Sequence, residues 1–330
     1  MCTAISWKNQ GHYFGRTLDH TCSFGEEITV TPRNFPLSFR HAGALPRHYA
    51  FVGMAHTEQG YPLYYDAVNE KGLAVAGLNL EGFTHYPPPC PGKTNIAHFE
   101  LVPWLLGQCA HAAEAAQKLR EITLCDDAFS PEHPAARLHW LIADCREAFA
   151  LEALEDGLHI WHDPVGVLTN SPPFPQQLFQ LRNFLHLTAG MPRNRFAPAL
   201  FLEPYSYGMG ALGLPGDLSS QSRFVRAAFM LQNSQCPPRQ EAEVSQFFHI
   251  LDTVQQPRGC TRCEDGTLEY TLYSSCCDTA RGIYYCSTYE NRQLQTVELH
   301  REDLEGQQLI RYPLINRQII KKENGGHESS

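Results

Sequence analysis

The sequence predicts an α+β fold in which two β-sheets carry helices on their outer faces. Three observations lead there. Strand-like segments occupy the start, the middle and the end of the chain, and helix-patterned stretches separate these clusters. One strand, "GLAVAGLNL", is apolar along nearly its whole length, as expected of a strand covered on both faces. The chain has 330 residues, 43% hydrophobic and 18% charged, enough to bury a large core. No shift in composition splits it and no internal repeat is present. The reading is therefore one domain over residues 1–318 with a polar, disordered tail over 319–330.

Each element has its own signal. "TAISW" alternates and leads through the turn "KNQG" into "HYFGR", a hairpin pattern. "EITVTP" and "HYAFVGM" read as further short strands before "GLAVAGLNL". Helical spacing follows in "AHFELVPWLLGQCA" and "AHAAEAAQKLREI". Strands return as "LHWLIADC", "AFALEALE", "LHIWHD" and "VGVLTN". "PQQLFQLRNFLHL" predicts a helix starting at Pro175, a residue suited to a first turn. Residues 188–217 are rich in Gly and Pro without a period, as binding loops often are. The helices "SSQSRFVRAAFMLQN" and "EAEVSQFFHILDTV" begin with a capping Ser and a Glu-rich turn respectively. "LEYTLYSSCCD", "GIYYCSTYE" and "LQTVELH" close the fold as aromatic-rich strands.

Bulk properties exclude several classes. A formal net charge of −9 argues against nucleic acid as a partner, because phosphate binding needs a basic face. No apolar signal segment follows the polar start, and no run of 18 apolar residues could span a membrane. The 12 cysteines are scattered, which without a secretion signal suits reduced thiols in the cytoplasm. No phosphate-binding glycine loop, GxSxG elbow or HExxH spacing occurs, and no cofactor is expected. "CTRC" (Cys260, Cys263) followed by Cys276 and Cys277 superficially suggests zinc. Adjacent strand residues point to opposite faces, however, so the second pair does not suit one tetrahedral ion, and no metal is expected there.

Cys2, directly behind Met1, admits two readings. It is either a small buried hydrophobe at a strand start, or a nucleophile that gains its own α-amine as base once Met1 is removed. Arg16 and Asp19 leave the second hairpin strand beside it. They suit a turn salt bridge, but Asp19 could also hold an ammonium and Arg16 favour a thiolate. Asn79 and Asn170 end apolar strands, as turn formers or as oxyanion donors. Arg223 sits at a helix start, where a cation opposes the helix dipole and so calls for an anionic partner or a surface position.

These residues fall within collinear motifs: "MCT", "FGRTLD", "PRNFP", "NEKGLAVAGLN", "GKTNI", "LHWLIAD", "GVLTNSP", "GLPGDLSSQSRF", "SQFFHIL", "RGCTR", "YTLYSSC" and "GIYYCSTYENRQ". Together they resemble the choloylglycine hydrolases, the bile salt hydrolase and penicillin V acylase group of N-terminal-nucleophile enzymes, over nearly the whole chain. The resemblance implies a four-layer αββα sandwich of two antiparallel sheets and Cys2 as the nucleophile after loss of Met1. It implies catalytic positions at Arg16, Asp19, Asn79, Asn170 and Arg223. It also implies a small-molecule substrate and a homotetramer. Asn rather than Tyr at position 79 resembles the bile salt hydrolase side of the family, which cleaves glycine or taurine from conjugated bile acids. Leu18, Phe24 and Phe129 match apolar pocket positions. Glu58 and Tyr65 depart from the family's usual apolar counterparts there, and Gly208, Met209 and Gly210 resemble its selectivity loop. The alternatives are a penicillin V acylase or another N-acyl amide hydrolase and, in a different class, an inactive thiol or binding protein.

Overall fold

A computed structural model describes residues 1–324. Two sheets face each other, and in both every neighbouring pair of strands is antiparallel. The seven-stranded sheet runs Val167–Leu168, Cys2–Lys8, His12–His20, Leu268–Asp278, Ile283–Thr288, Asn291–Glu298, with Thr261–Arg262 added alongside Leu268–Asp278. The eight-stranded sheet runs Gly157–His162, Ala148–Leu154, Leu138–Ala143, Ala74–Asn79, Tyr61–Asn69, Phe51–Glu58, Glu27–Thr31, Ile310–Pro313.

Among the described residues five α-helices accompany these sheets: α1 (Leu101–Gln108), α2 (Ala112–Leu119), α3 (Phe174–Gln180), α4 (Ser220–Asn233) and α5 (Gln240–Asp252). The first two pack on the outer face of the eight-stranded sheet, where Leu101, Leu105, Ala115 and Leu119 bury against Leu73, Val75 and Leu151. α4 and α5 cover the outer face of the seven-stranded sheet, with Phe224, Val244 and Phe247 joining the core around Ile5 and Tyr13. The result is the expected αββα layering. Ala74–Asn79 lies fourth in its sheet, buried on both sides, which explains its continuous apolar run.

Several elements escaped the sequence reading. Tyr61–Asn69 is a nine-residue strand whose Pro62 and Asp66 disguise its alternation. Ile310–Pro313 closes the edge of the larger sheet from far along the chain, so no local signal could place it. The helix read from Pro175 starts at Phe174 and ends at Gln180, after which the chain tightens into a 3₁₀ turn. Of the tail, residues 319–324 are exposed and 325–330 lie outside the described residues. Among the described residues no helix is long and apolar enough to cross a membrane.

Candidate active site

The N-terminal hairpin aligns Cys2 opposite Leu18 and Ala4 opposite Arg16. Alternation along both strands then sorts the polar residues by face. Arg16 turns toward the opposing sheet, where its Nη1 donates to the Tyr65 carbonyl at 3.2 Å and to the Gly77 carbonyl. Thr3 and Thr17 turn toward the helices, and Arg223 Nη1 reaches Thr3 Oγ1 at 2.7 Å. The chain end thus passes between two guanidinium groups that approach from opposite sides.

The hairpin packs this closely because of Gly15. A Cβ there would lie 2.0 Å from the Ser275 carbonyl oxygen, so only glycine lets His12–His20 pair with Leu268–Asp278.

Arg223 lies in the first turn of α4, whose N-cap Ser219 accepts from the Ser222 N–H at 3.4 Å. It is fully buried. Its cost at that end of the helix is offset by acceptors: the Cys2 carbonyl at 2.5 Å, the Asn170 Oδ1 at 2.7 Å and the Leu218 carbonyl at 3.0 Å. Burial pulls the Arg223 pKa down against the opposing pull of Asp19 and Cys2. At Arg16 burial also works downward, but electrostatic attraction from the surrounding acidic groups, Asp66 and Asp19 among them, raises its pKa on balance. Arg16 Nη2 is buried without a protein partner among the described residues, leaving one cationic donor uncommitted beside the cavity.

Asn170 links the chain end to both sheets. Its Oδ1 accepts from the Cys2 N–H at 2.7 Å as well as from Arg223, and its Nδ2 donates to the Asn79 carbonyl at 2.8 Å. Because both partners of Oδ1 can only donate, the amide orientation is fixed. Its backbone is held in turn by Ser220 Oγ at 2.9 Å and by Gln177.

Asp19 is fully enclosed. Thr271 Oγ1 donates to one oxygen at 2.6 Å and Gln256 Nε2 to the other at 3.1 Å. Burial raises its pKa, opposed by Arg223, the chain-terminal ammonium and the Thr271 hydroxyl. Met1 extends the hairpin by one residue: Asp19 N–H donates to the Met1 carbonyl at 2.9 Å, and the Met1 amine reaches Glu269 at 2.5 Å. While Met1 is attached, the Cys2 nitrogen is an amide and has no basic lone pair.

A cavity of about 320 Å³ opens onto this end. Cys2, Arg16, Asp19 and Asn79 sit at its base, and Leu18, Leu63, Phe99, Val102, Leu138 and Trp140 contribute to its apolar wall. Of the residues the sequence suggested for substrate binding, Leu18, Phe24, Tyr65 and Phe129 line it. Glu58 stands at the end of its strand, outside the lining. Gly208, Met209 and Gly210 also lie outside. That turn folds back on its own loop, Thr188 N–H donating to the Gly210 carbonyl at 2.9 Å. A Cβ on Gly210 would strike the Gly190 carbonyl oxygen at 2.0 Å, so its glycine answers to loop packing.

The sequence reading missed Asp66, which accepts from Tyr273 and Tyr284 hydroxyls at 2.7 Å each and from Ser275 at 3.1 Å between the sheets. An acid inside an otherwise apolar strand was the available signal. It also missed the histidines His20, His56, His98 and His133 around the cavity. Cys260 is exposed and Cys263 half-buried, whereas Cys276 and Cys277 are buried in the sheet, so the four thiols do not form one cluster.

Comparison with known proteins decides the family. The family model of linear amide C–N hydrolases, choloylglycine hydrolase family, matches residues 2–312. The chain belongs to the choloylglycine hydrolase family. It is 48% identical over 314 residues to a bile salt hydrolase/transferase of Lactiplantibacillus plantarum, covering 95% of this chain and 97% of that one. A bile salt hydrolase/transferase of Clostridium perfringens is 33% identical over 94% of this chain and 96% of its own length. Among solved structures, the mutant C2A conjugated bile acid hydrolase from Clostridium perfringens superposes with a TM-score of 0.91 at 32% identity, covering 98% of this chain and all (100%) of that one. Penicillin V acylase from Agrobacterium tumefaciens shares the fold, with a TM-score of 0.75 at 20% identity over 94% of this chain and 90% of that one. The chain is thus a linear amide C–N hydrolase of the α+β N-terminal-nucleophile fold.

Proposed function

We propose that this enzyme hydrolyses the amide bond of glycine- or taurine-conjugated bile acids through a thioester on Cys2. The observation that carries the reading is an apolar cavity whose base holds Cys2, with Asn170 and Arg223 gripping the same residue's backbone. Such a cavity suits an amphipathic steroid body with its scissile amide at the buried end. The relatives named above, which carry bile salt hydrolase in their names, support the same substrate class.

Loss of Met1 turns the Cys2 amide nitrogen into an α-amine still within reach of Asn170 Oδ1. An α-amine titrates near neutrality and so serves as a general base. It takes the Cys2 thiol proton, directly or through one water, and the thiolate attacks the amide carbonyl. N–H groups of Asn79 and Asn170 stabilise the resulting oxyanion. The ammonium then protonates the departing amino-acid nitrogen as the C–N bond breaks, leaving the acyl group on sulfur. Water, activated by the same amine, hydrolyses the thioester; a second amine in place of water would give acyl transfer. Asp19 holds the ammonium, while Arg16 and Arg223 favour the thiolate.

The proposal includes a cytoplasmic homotetramer. Its support in the structure is an uncovered apolar run in residues 185–212, where Phe196, Phe201 and Tyr207 are 89%, 88% and 95% exposed. Hydrolysis of taurocholate, glycocholate and penicillin V, assayed in parallel, tests the substrate class. The bile acids are expected to give the higher kcat/KM; a preference for penicillin V overturns the proposal.

A further inference from the structure

At the mouth of the cavity, the end of the Phe51–Glu58 strand meets the loop of residues 126–137, and three side chains that the hydrolysis does not use converge. They are His56, Glu58 and His133, each half-buried, with one ligand-type atom apiece lying within 4.8 Å of the others. His56 Nε2 stands 3.3 Å from Glu58 Oε2. A tetrahedral ion with bonds of about 2.0–2.2 Å has ligand–ligand edges near 3.4 Å, so one edge of the polyhedron already exists.

The framework around these groups is set. His56 and Glu58 are two apart on one strand and share a face. His133 is fixed by its own backbone: its N–H donates to the Ser130 carbonyl at 3.1 Å, and its carbonyl accepts from Phe129 at 2.9 Å. Its ring lies 5.8 Å from that of His56, centroid to centroid, and 6.4 Å from that of Phe24. Among the described residues no side chain hydrogen-bonds the His133 ring, which leaves its nitrogens available.

We propose that His56, Glu58 and His133 bind a divalent transition metal of the zinc type. Two imidazoles and one carboxylate suit Zn²⁺, Co²⁺ or Ni²⁺ rather than the all-oxygen preference of Ca²⁺ or Mg²⁺. Three ligands leave a coordination position open, and because His56 and His133 line the cavity that position faces the substrate's path. An ion there ties the loop bearing Phe129 to the strand and takes up space the acyl body needs. It therefore weakens substrate binding without touching Cys2. This second part rests on the hydrolase reading above; the metal site does not.

Cobalt titration of a Cys2→Ala variant, followed by absorption, tests the site without interference from the nucleophilic thiol. One equivalent is expected to give visible ligand-field bands without a near-ultraviolet thiolate charge-transfer band, and Zn²⁺ is expected to abolish them. The bands disappear in His133→Ala and His56→Ala backgrounds whose circular dichroism is unchanged, and persist with Cys22→Ser, which removes the thiol 3.8 Å from the His20 ring. No saturable band, a band that survives His133→Ala, or a charge-transfer band lost with Cys22→Ser overturns the site. With the active enzyme, Zn²⁺ is expected to raise KM several-fold while kcat holds. A fall in kcat with KM unchanged, beside an intact cobalt signature, overturns only the effect on substrate binding.

Discussion

The two ends of the cavity are built in opposite ways. At the base, Arg16, Asp19, Asn170 and Arg223 are each buried and each bonded to groups on other elements, so the position of Cys2 is over-determined. At the mouth, Phe24 is 42% exposed and His133, among the described residues, is held by ring contacts and by bonds of its backbone. Reacting groups must be held within fractions of an ångström, and buried hydrogen-bond networks supply that rigidity. An apolar acyl body needs only volume and a water-free wall, which loops with aromatic side chains provide. Substitutions at the base should therefore reduce kcat, and those at the wall should raise KM.

The largest effect is expected for Cys2→Ala, which removes the attacking sulfur. Turnover should fall by at least roughly 10³-fold with the melting temperature little changed, because Ala fits a site made for a small buried side chain. Asn170→Ala follows. It deletes the proposed oxyanion donor and one of the acceptors holding Arg223, and kcat should fall by about 10²–10³-fold. If KM alone responds, Asn170 belongs functionally with the wall and the division between the two ends fails.

Phe129→Ala probes the other end. The ring packs edge-on against Phe99, with centroids 5.2 Å apart, and lines the cavity. Losing its contact with the acyl body should raise KM for a bile acid conjugate roughly tenfold, the equivalent of about 1.4 kcal/mol, with a smaller change in kcat.

A last effect, on stability rather than turnover, separates the wall from the rest of the fold. Burial lowers the pKa of His12 and of His98 from 6.5 to about 4. His98 Nε2 accepts from the Ala136 N–H at 3.1 Å, a bond its protonated form cannot make. Between pH 6.5 and about 4 the unfolded chain binds protons that these folded histidines do not. Their contribution is thus present above pH 6.5 and lost as the pH falls. Asp163 opposes them: burial pushes it up to about 6, so its contribution is present below pH 3.8 and lost as the pH rises through 6. From pH 7 to pH 5 the three groups together should remove about 2–3 kcal/mol, at about 1.4 kcal/mol per pH unit and proton. Urea denaturation at the two pH values measures it, and His98→Gln should flatten the slope; a midpoint independent of pH contradicts the assignment.

Much of the base was legible in the sequence. Cys2, Arg16 and Asp19 lie on one hairpin whose turn "KNQG" sets the register, so local spacing was enough to bring them together. Asn79, Asn170 and Arg223 come from separate elements, and their convergence followed from the family resemblance rather than from spacing. The strand patterning likewise gave both sheets except the two-residue Thr261–Arg262, too short for a period, Tyr61–Asn69, where a buried Asp66 interrupts the apolar rhythm, and Ile310–Pro313, whose pairing with Glu27–Thr31 spans nearly the whole chain. The mouth was least legible. His56 and His133 are far apart in sequence, and a lone histidine carries no sign of which loop will fold over it. Gly208–Gly210 shows the reverse case: a local motif pointed to the cavity, but close packing against Gly190 holds it elsewhere.

All of the chemistry proposed for the base depends on the Cys2 nitrogen becoming an amine. Peptide mass spectrometry of the catalytically active enzyme measures this most directly. The expected N-terminal peptide begins at Cys2 with a free α-amino group. Fully active protein that retains Met1 would contradict the mechanism, because its Cys2 nitrogen would be an amide unable to accept the thiol proton.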